Sequence, residues 1–233
     1  MTISRKAFIG RAAGLAALAG FGSRAEAQLV YRRSDWKIED FHKLTRSPAR
    51  VKQVFDVTAI NEGKFLNNIK NSLNGLHFGF DVPAGEIQIV AALHGPANMV
   101  NFDDSVWRKY RVGEWLKVTD PSTGKPAERN VFYNSKAGKE LRYASQDPNH
   151  EDSAYQDRSM QGLQARGVKF LSCHTATEEQ ARLLIRQWSL KEQPEEIVKD
   201  LQSHTQPGVL VVPSMVASIA LLQSEGHYSY ATV

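Results

Sequence analysis

The apolar residues of this chain form short continuous runs, and stretches with helical spacing lie between them. The runs have the length and the β-branched composition of buried strands. They cover 52–57, 86–93, a third run that begins at Val168 after the turn signal of Gly167, 208–213, and the closing edge run 228–233. Strands that alternate with helices predict an α/β fold. We expect a three-layer sandwich with a mostly parallel sheet of about five strands and right-handed crossovers.

The stretches between the runs carry apolar stripes at helical spacing, which we interpret as core-facing surfaces. The first is a helix with Phe65, Leu66, Ile69, Leu73 and Leu76 on one face. Further helices are predicted at about 97–116, at 156–166, after Cys173, and from Pro194. The last helix is predicted to begin after Ser214, which caps it. Its core-facing residues are predicted to be Val216, Ile219, Ala220 and Leu222.

Residues 117–155 interrupt this alternation. They contain two turn-rich clusters, 120–126 and 147–152, and are predicted to form an insertion with a small hairpin that pairs 131–133 with Leu141 and Tyr143. Residues 28–50 are polar and predict an N-terminal arm with one helical turn. The expected organisation is therefore a leader at 1–27, the arm, and one domain over 51–233.

The leader resembles an export signal. Ser4-Arg5-Lys6-Ala7-Phe8-Ile9 is similar to a twin-arginine motif with lysine in the second position, and Ala25-Glu26-Ala27 offers a cleavage site before Gln28. The weakly apolar stretch 12–22 is too short and too interrupted to span a membrane. Sec export is the alternative route. Both routes predict a periplasmic protein.

The charge of the chain is concentrated in the same leader. The formal net charge is +4 over 233 residues, and the leader holds four basic residues against Glu26, a net of +3. Cleavage would leave +1, so the charge does not indicate a nucleic-acid partner. A single cysteine excludes an internal disulfide.

That cysteine, Cys173, is predicted to stand where a strand ends and a helix begins. Thr177 with Gln180, or Thr175 with Glu178, has the spacing of a capping box. The positive end of a helix favours a reactive thiolate. The alternative interpretation is a small buried apolar residue.

Two histidines follow predicted strand ends, where ligands collect in parallel sheets. His94 follows the second strand, and His174 follows Cys173. One hypothesis is a thiolate supported by an imidazolium. The other is a copper site that adds Met99 or Met215. A histidine in such a place is also often purely structural. The sequence has no P-loop, GxGxxG, GxSxG, HExxH or CxxC motif, so no cofactor is predicted.

The order of these pieces resembles the DsrE/DsrF-like (YchN-like) family. The resemblance rests on the asparagine-rich helix from Asn61, on Ala91-Ala92-Leu93-His94-Gly95, on the run from Gly167 to Cys173, and on 207–213 through Glu225-Gly226-His227-Tyr228. It covers roughly residues 51–116 and 156–233. Many members follow the cysteine with Asn-Thr, whereas this chain has His174-Thr175, and the insertion and leader also depart from the sulfur-relay members.

The resemblance implies a small α/β fold that assembles as trimers or hexamers and a persulfide on Cys173. Donor and acceptor proteins for sulfur would be its partners. The aromatic side chains of the 97–116 segment, Phe102, Trp107 and Tyr110, are expected between subunits. Two functional hypotheses follow: a sulfur carrier with Cys173, His174 and His94 in its site, and a non-catalytic binding module for copper or a partner protein.

Overall fold

The computed structural model describes residues 32, 34, 36–134 and 141–233, so the predicted leader lies outside the described residues. Its centre is one five-stranded sheet in which all neighbouring strands are parallel, in the order β4-β3-β2-β1-β5. The predicted α/β fold is confirmed. The strands are β1 Val51–Val57, β2 Ile87–Leu93, β3 Lys169–Cys173, β4 Val209–Val212 and β5 Ser229–Thr232.

Helices cover both faces of the sheet, because alternate strand residues point to opposite sides. The helices are α1 Ile38–Thr45, α2 Lys64–Asn74, α3 Asp104–Lys109, α4 Val112–Trp115, α5 Met160–Ala165, α6 His174–Trp188, α7 Pro194–Ser203 and α8 Met215–Ser224. On one face α2 and α5 pack against Phe55, Ala91 and Phe170. On the other face α1 and α8 pack against Val54, Val90 and Leu171. These layers form the expected three-layer sandwich.

The segment predicted as one helix at 97–116 is broken into a 3-10 helix, Gly95–Asn101, followed by α3 and α4. With α6 and α7 these elements enclose a third apolar cluster. Phe102, Trp107 and Tyr110 are at most 2% exposed within it, and the Trp107 indole donates to the Met99 carbonyl at 3.1 Å. Their expected place between subunits is wrong, because the chain buries them itself.

The insertion does not form the predicted hairpin. Val131–Tyr133 form a turn, and the carbonyls of Phe132 and Tyr133 each accept a backbone hydrogen bond of 2.8 Å from the start of α5. The other clear anchor is Asp120. The hydroxyl and amide of Ser122, together with Arg129 at 2.8 Å, lower the pKa of Asp120 to about 2. Turn hydrogen bonds, an ion pair and one antiparallel bridge between Thr119 and Pro126 therefore hold this part of the insertion.

The last helix, α8, departs from its predicted orientation. Met215, Ile219 and Leu222 are buried, whereas Val216 is 68% exposed and Ala220 is also exposed. The helix is apolar on all sides, so the apolar pattern did not identify its inner face. Within the described residues no helix has both the length and the apolar character needed to cross a membrane.

Candidate thiol site at the carboxyl end of the sheet

Cys173 lies at a change of direction in the topology. From β3 the chain runs outward through α6 and α7 to the edge strand β4, and from β4 it crosses back through α8 to β5 on the opposite edge. The connections that leave the carboxyl ends of β3 and β4 therefore run in opposite directions across the sheet. Ligands bind preferentially in the crevice at such a point. Cys173 pairs in register with Val212, the last residue of β4.

The sulfur of Cys173 is held by the starts of two helices. Cys173 is the N-cap of α6, and its Sγ accepts the Ala176 N–H at 3.4 Å. The Met215 N–H, at the start of α8, donates to the same Sγ at 3.3 Å. The Thr175 hydroxyl lies 3.0 Å away. Two helix N-termini therefore direct backbone N–H groups, and their partial positive charge, at one sulfur.

Asn98, a residue that sequence reasoning did not single out, fixes the backbone at the thiol. Its side chain is fully buried and accepts the Cys173 N–H and the Ser172 hydroxyl, both at 3.0 Å. Its amide donates to the Cys173 carbonyl at 3.3 Å and to the Thr177 hydroxyl at 3.0 Å. Thr177 in turn donates to the Cys173 carbonyl and is not the cap of a later helix. This network sets the position from which Sγ meets both helix starts.

The thiol is covered in this conformation. Cys173 is 2% exposed and packs in an apolar cluster with Phe41 of α1 and Met215. Trp36 contacts the His174 ring edge-on at 5.1 Å between centroids, and it also lines a small cavity of about 80 Å³ beside Ser214 and Val212. Trp36 therefore touches one helix start and lies near the other. Thr175, by contrast, is partly exposed.

His174 is turned into a buried polar group. Gln202 bonds to its Nδ1, and Glu178 lies 3.3 Å from its Nε2. Burial lowers the pKa of His174, and Glu178 opposes that shift in part. The neutral imidazole is favoured near neutral pH. These contacts indicate a residue that positions the start of α6, and they do not support an imidazolium partner for the thiolate.

His94 lies at the end of β2 and is oriented toward β1. Its Nε2 is 2.6 Å from Asp56, and the Tyr230 hydroxyl donates to the other oxygen of Asp56 at 2.6 Å. The hydrogen bond from Tyr230 to Asp56 raises the pKa of the Tyr230 phenol. The structure thus places His94 in an Asp56–His94–Tyr230 group on the same edge of the sheet. A charged Asp56 inside the apolar strand β1 was the sequence signal for this group.

The copper hypothesis needs several ligands together. Across residues 36–134 and 141–233 no group of three His, Cys, Asp or Glu side chains has a metal-binding arrangement. Met99 belongs to a different apolar cluster from Cys173 and Met215. No family model, curated protein or solved structure matches this chain. The resemblance to the DsrE/DsrF-like family therefore stays a prediction.

Proposed function

We propose that this protein carries sulfane sulfur as a persulfide on Cys173. The observation that supports the proposal is the set of three polar contacts to one sulfur: two backbone N–H groups from different helices and the Thr175 hydroxyl. A thiol that served only as an apolar residue would gain little from such donors. A thiolate, or the terminal anion of a persulfide, gains a charge-assisted hydrogen bond from each of them.

The chemical step transfers one sulfur atom and requires no oxidant or reductant. The Cys173 thiolate attacks the outer sulfur of a donor persulfide, an S–S bond forms to Sγ, and the S–S bond of the donor breaks. The donor leaves as a thiolate, which takes up the proton that Cys173 lost. The acceptor step is the same exchange with Cys173 as the donor. The Thr175 hydroxyl can accept a hydrogen bond from the Cys173 thiol, and it can donate one to Sγ once the thiol has lost its proton.

Because the thiol is buried, a donor can reach it only after its cover moves. Trp36 lies two residues before the first residue of α1 and packs on His174, the residue that follows Cys173. We infer that displacement of Trp36 opens the thiol while the helix starts keep their positions. Thr175, whose hydroxyl lies 3.0 Å from Sγ, is partly exposed.

The direct test is to load the protein with sulfur. Protein treated with a small-molecule persulfide should gain the mass of one sulfur atom on the Cys173 peptide, and Trp36→Ala should gain it faster. Cys173→Ser should gain none while keeping its fold, because Ser is close in size. A Cys173 that stays unmodified in Trp36→Ala and reacts only after denaturation would show that it is a core residue. Bound copper with an unmodified thiol would instead favour the binding-module hypothesis.

Export to the periplasm is part of the proposal and rests on Arg5-Lys6 and Ala25-Glu26-Ala27. The mature protein should begin at Gln28. N-terminal sequencing of protein from the periplasmic fraction tests this, and a product that begins at Met1 would contradict it.

We also propose a homo-oligomer, a trimer or hexamer, in which a second copy covers α8. An apolar helix with an exposed outer face supports this, since Val216 is 68% exposed and Leu221 is 39% exposed. Light scattering at micromolar concentration should give a multiple of the monomer mass, and Val216→Glu should reduce it. A monomer mass for the unmodified protein would contradict the proposal.

A further inference from the structure

A second feature at the carboxyl edge of the sheet is a cavity that does not include Cys173. It has a volume of about 720 Å³ and is formed where the loop after β1 meets the insertion. That size lies in the usual range for small-molecule sites. Half of its lining comes from the segment 116–132, and the remainder from 60–66 and 158–159. The insertion therefore acts as one wall of a cavity that the α/β core alone would leave open.

The interior and the mouth of this cavity differ in character. Apolar side chains line the interior, with Leu66 buried and Leu116, Val118 and Phe132 half-buried. Ser159 is buried beside them, and its hydroxyl caps α5 by accepting the Gly162 N–H at 3.0 Å. The apolar residues give the cavity a surface that can bind the body of an organic molecule.

Two cations stand at the mouth. Lys117 and Arg158 line the cavity and are exposed, and their side chains make no hydrogen bond or ion pair with another described residue. Glu62 is the one carboxylate among the lining residues, so the mouth has a net charge of +1. Elsewhere on this protein arginine side chains do pair with carboxylates, as Arg129 does with Asp120 at 2.8 Å. The two cations are thus available to an anionic ligand.

The backbone around the cavity is unusual as well. Seven residues other than glycine have a positive φ in the described part of the chain, and three of them, Asn61, Glu62 and Lys117, line this cavity. Such conformations are unfavourable for residues with a Cβ and cluster at functional sites. Gly63, next in the loop, also has a positive φ, and a Cβ there would meet the Phe132 ring at 2.9 Å. The fold therefore keeps an unfavourable loop where it packs against the insertion.

We propose that this cavity binds a small organic anion, a carboxylate or sulfonate with an apolar body. The apolar interior takes the body, and Lys117 and Arg158 take the charged group through charge-assisted hydrogen bonds. This site is separate from the sulfur chemistry of Cys173, so it stands whether or not Cys173 carries a persulfide. It also gives the insertion a role as the part of the chain that selects the ligand.

The test uses a matched pair of fluorescent probes on the folded protein. One is 1-anilinonaphthalene-8-sulfonate, and the other is its neutral parent, N-phenyl-1-naphthylamine. The double variant Lys117→Gln/Arg158→Gln should weaken binding of the sulfonate by about tenfold or more, because two charge-assisted contacts are lost, and should leave the neutral probe within about twofold. The control is Arg186→Gln/Lys199→Gln, which removes the same charge from exposed positions on α6 and α7.

A second variant tests the location independently of charge. Thr119 is exposed and lines the cavity, so Thr119→Trp should fill the mouth and weaken both probes without loss of fold. If Thr119→Trp leaves both probes bound as before, they bind elsewhere and the proposal is wrong. If the control double variant weakens the sulfonate as much as Lys117→Gln/Arg158→Gln does, the effect is one of net charge and the proposal is also wrong.

Discussion

The contact between the Met215 N–H and Sγ of Cys173 allows a sharp test of the thiol site. Met215 is the first residue of α8, a position where proline is well tolerated because its missing N–H is not needed by the helix. The preceding Ser214 has φ −146° and ψ 128°, an extended conformation that suits a residue before proline. Met215→Pro therefore removes this hydrogen bond to the sulfur. Met215→Ala is the matched control, since it loses the same buried side chain but keeps the N–H.

The size of the effect follows from the charge on the acceptor. A hydrogen bond to a charged group contributes about 1.5–3 kcal/mol, whereas one to a neutral thiol contributes less. Because the thiolate is the attacking species, the loss of this bond should raise the barrier to alkylation, measured at about pH 6, by that free energy. This corresponds to roughly a 10- to 150-fold slower alkylation in Met215→Pro than in Met215→Ala.

The assay is the rate of iodoacetamide labelling of Cys173 in the two native variants, followed by mass spectrometry. Because both variants lose the same side chain, the access of the reagent should be similar, and urea unfolding checks that both are folded. Equal labelling rates at this pH would refute the reasoning, because the helix start would then contribute nothing to the thiolate. If the proline variant does not fold, Thr175→Val tests the same idea through the hydroxyl 3.0 Å from Sγ.

Three further predictions concern stability and titration. Gly113→Ala should destabilise the protein by about 1–3 kcal/mol in urea unfolding, because a Cβ would meet the backbone of the insertion. Gly75→Ala should stabilise it by about 0.4–1 kcal/mol, because Gly75 has helical angles and open space around it. The opposite order of stabilities would contradict this packing. Burial lowers the pKa of His174 in the folded state, so the unfolded chain binds its proton more readily, and the free energy of unfolding should fall as the pH drops below about 6.5. His174→Gln should flatten that fall, and an unchanged slope would assign it to other groups. Asp56→Asn should return the pKa of the Tyr230 phenol toward its usual value, as ultraviolet titration against Tyr230→Phe would show; no change would mean that Asp56 does not hold the phenol.

Local pattern was sufficient to predict the fold class and a sheet of about five mostly parallel strands, whereas the order of the strands came only from the structure. Strands that are covered on both faces, such as β2 and β3, require continuous apolar runs. Such runs are recognised in the sequence without knowing which strands lie beside them. The position of Cys173 at a strand end before a helix was predicted for the same reason, and α6 begins at the next residue. In α8 the apolar residues are spread around the whole helix. The pattern therefore could not decide whether Met215 or Val216 faces the core.

The surroundings of the thiol were decided only by the tertiary structure. The amide that meets Sγ comes from Met215, 42 residues further along the chain, and the side chain that fixes the Cys173 backbone comes from Asn98, 75 residues earlier. These partners meet because parallel strands bring distant carboxyl ends to one edge, and no local spacing in the sequence records that geometry. Burial of Cys173 in one apolar cluster with Phe41 depends likewise on how α1 packs against β4 and α8. Sequence alone identified Cys173 as the candidate residue, and the packing of distant elements determined what holds and covers it.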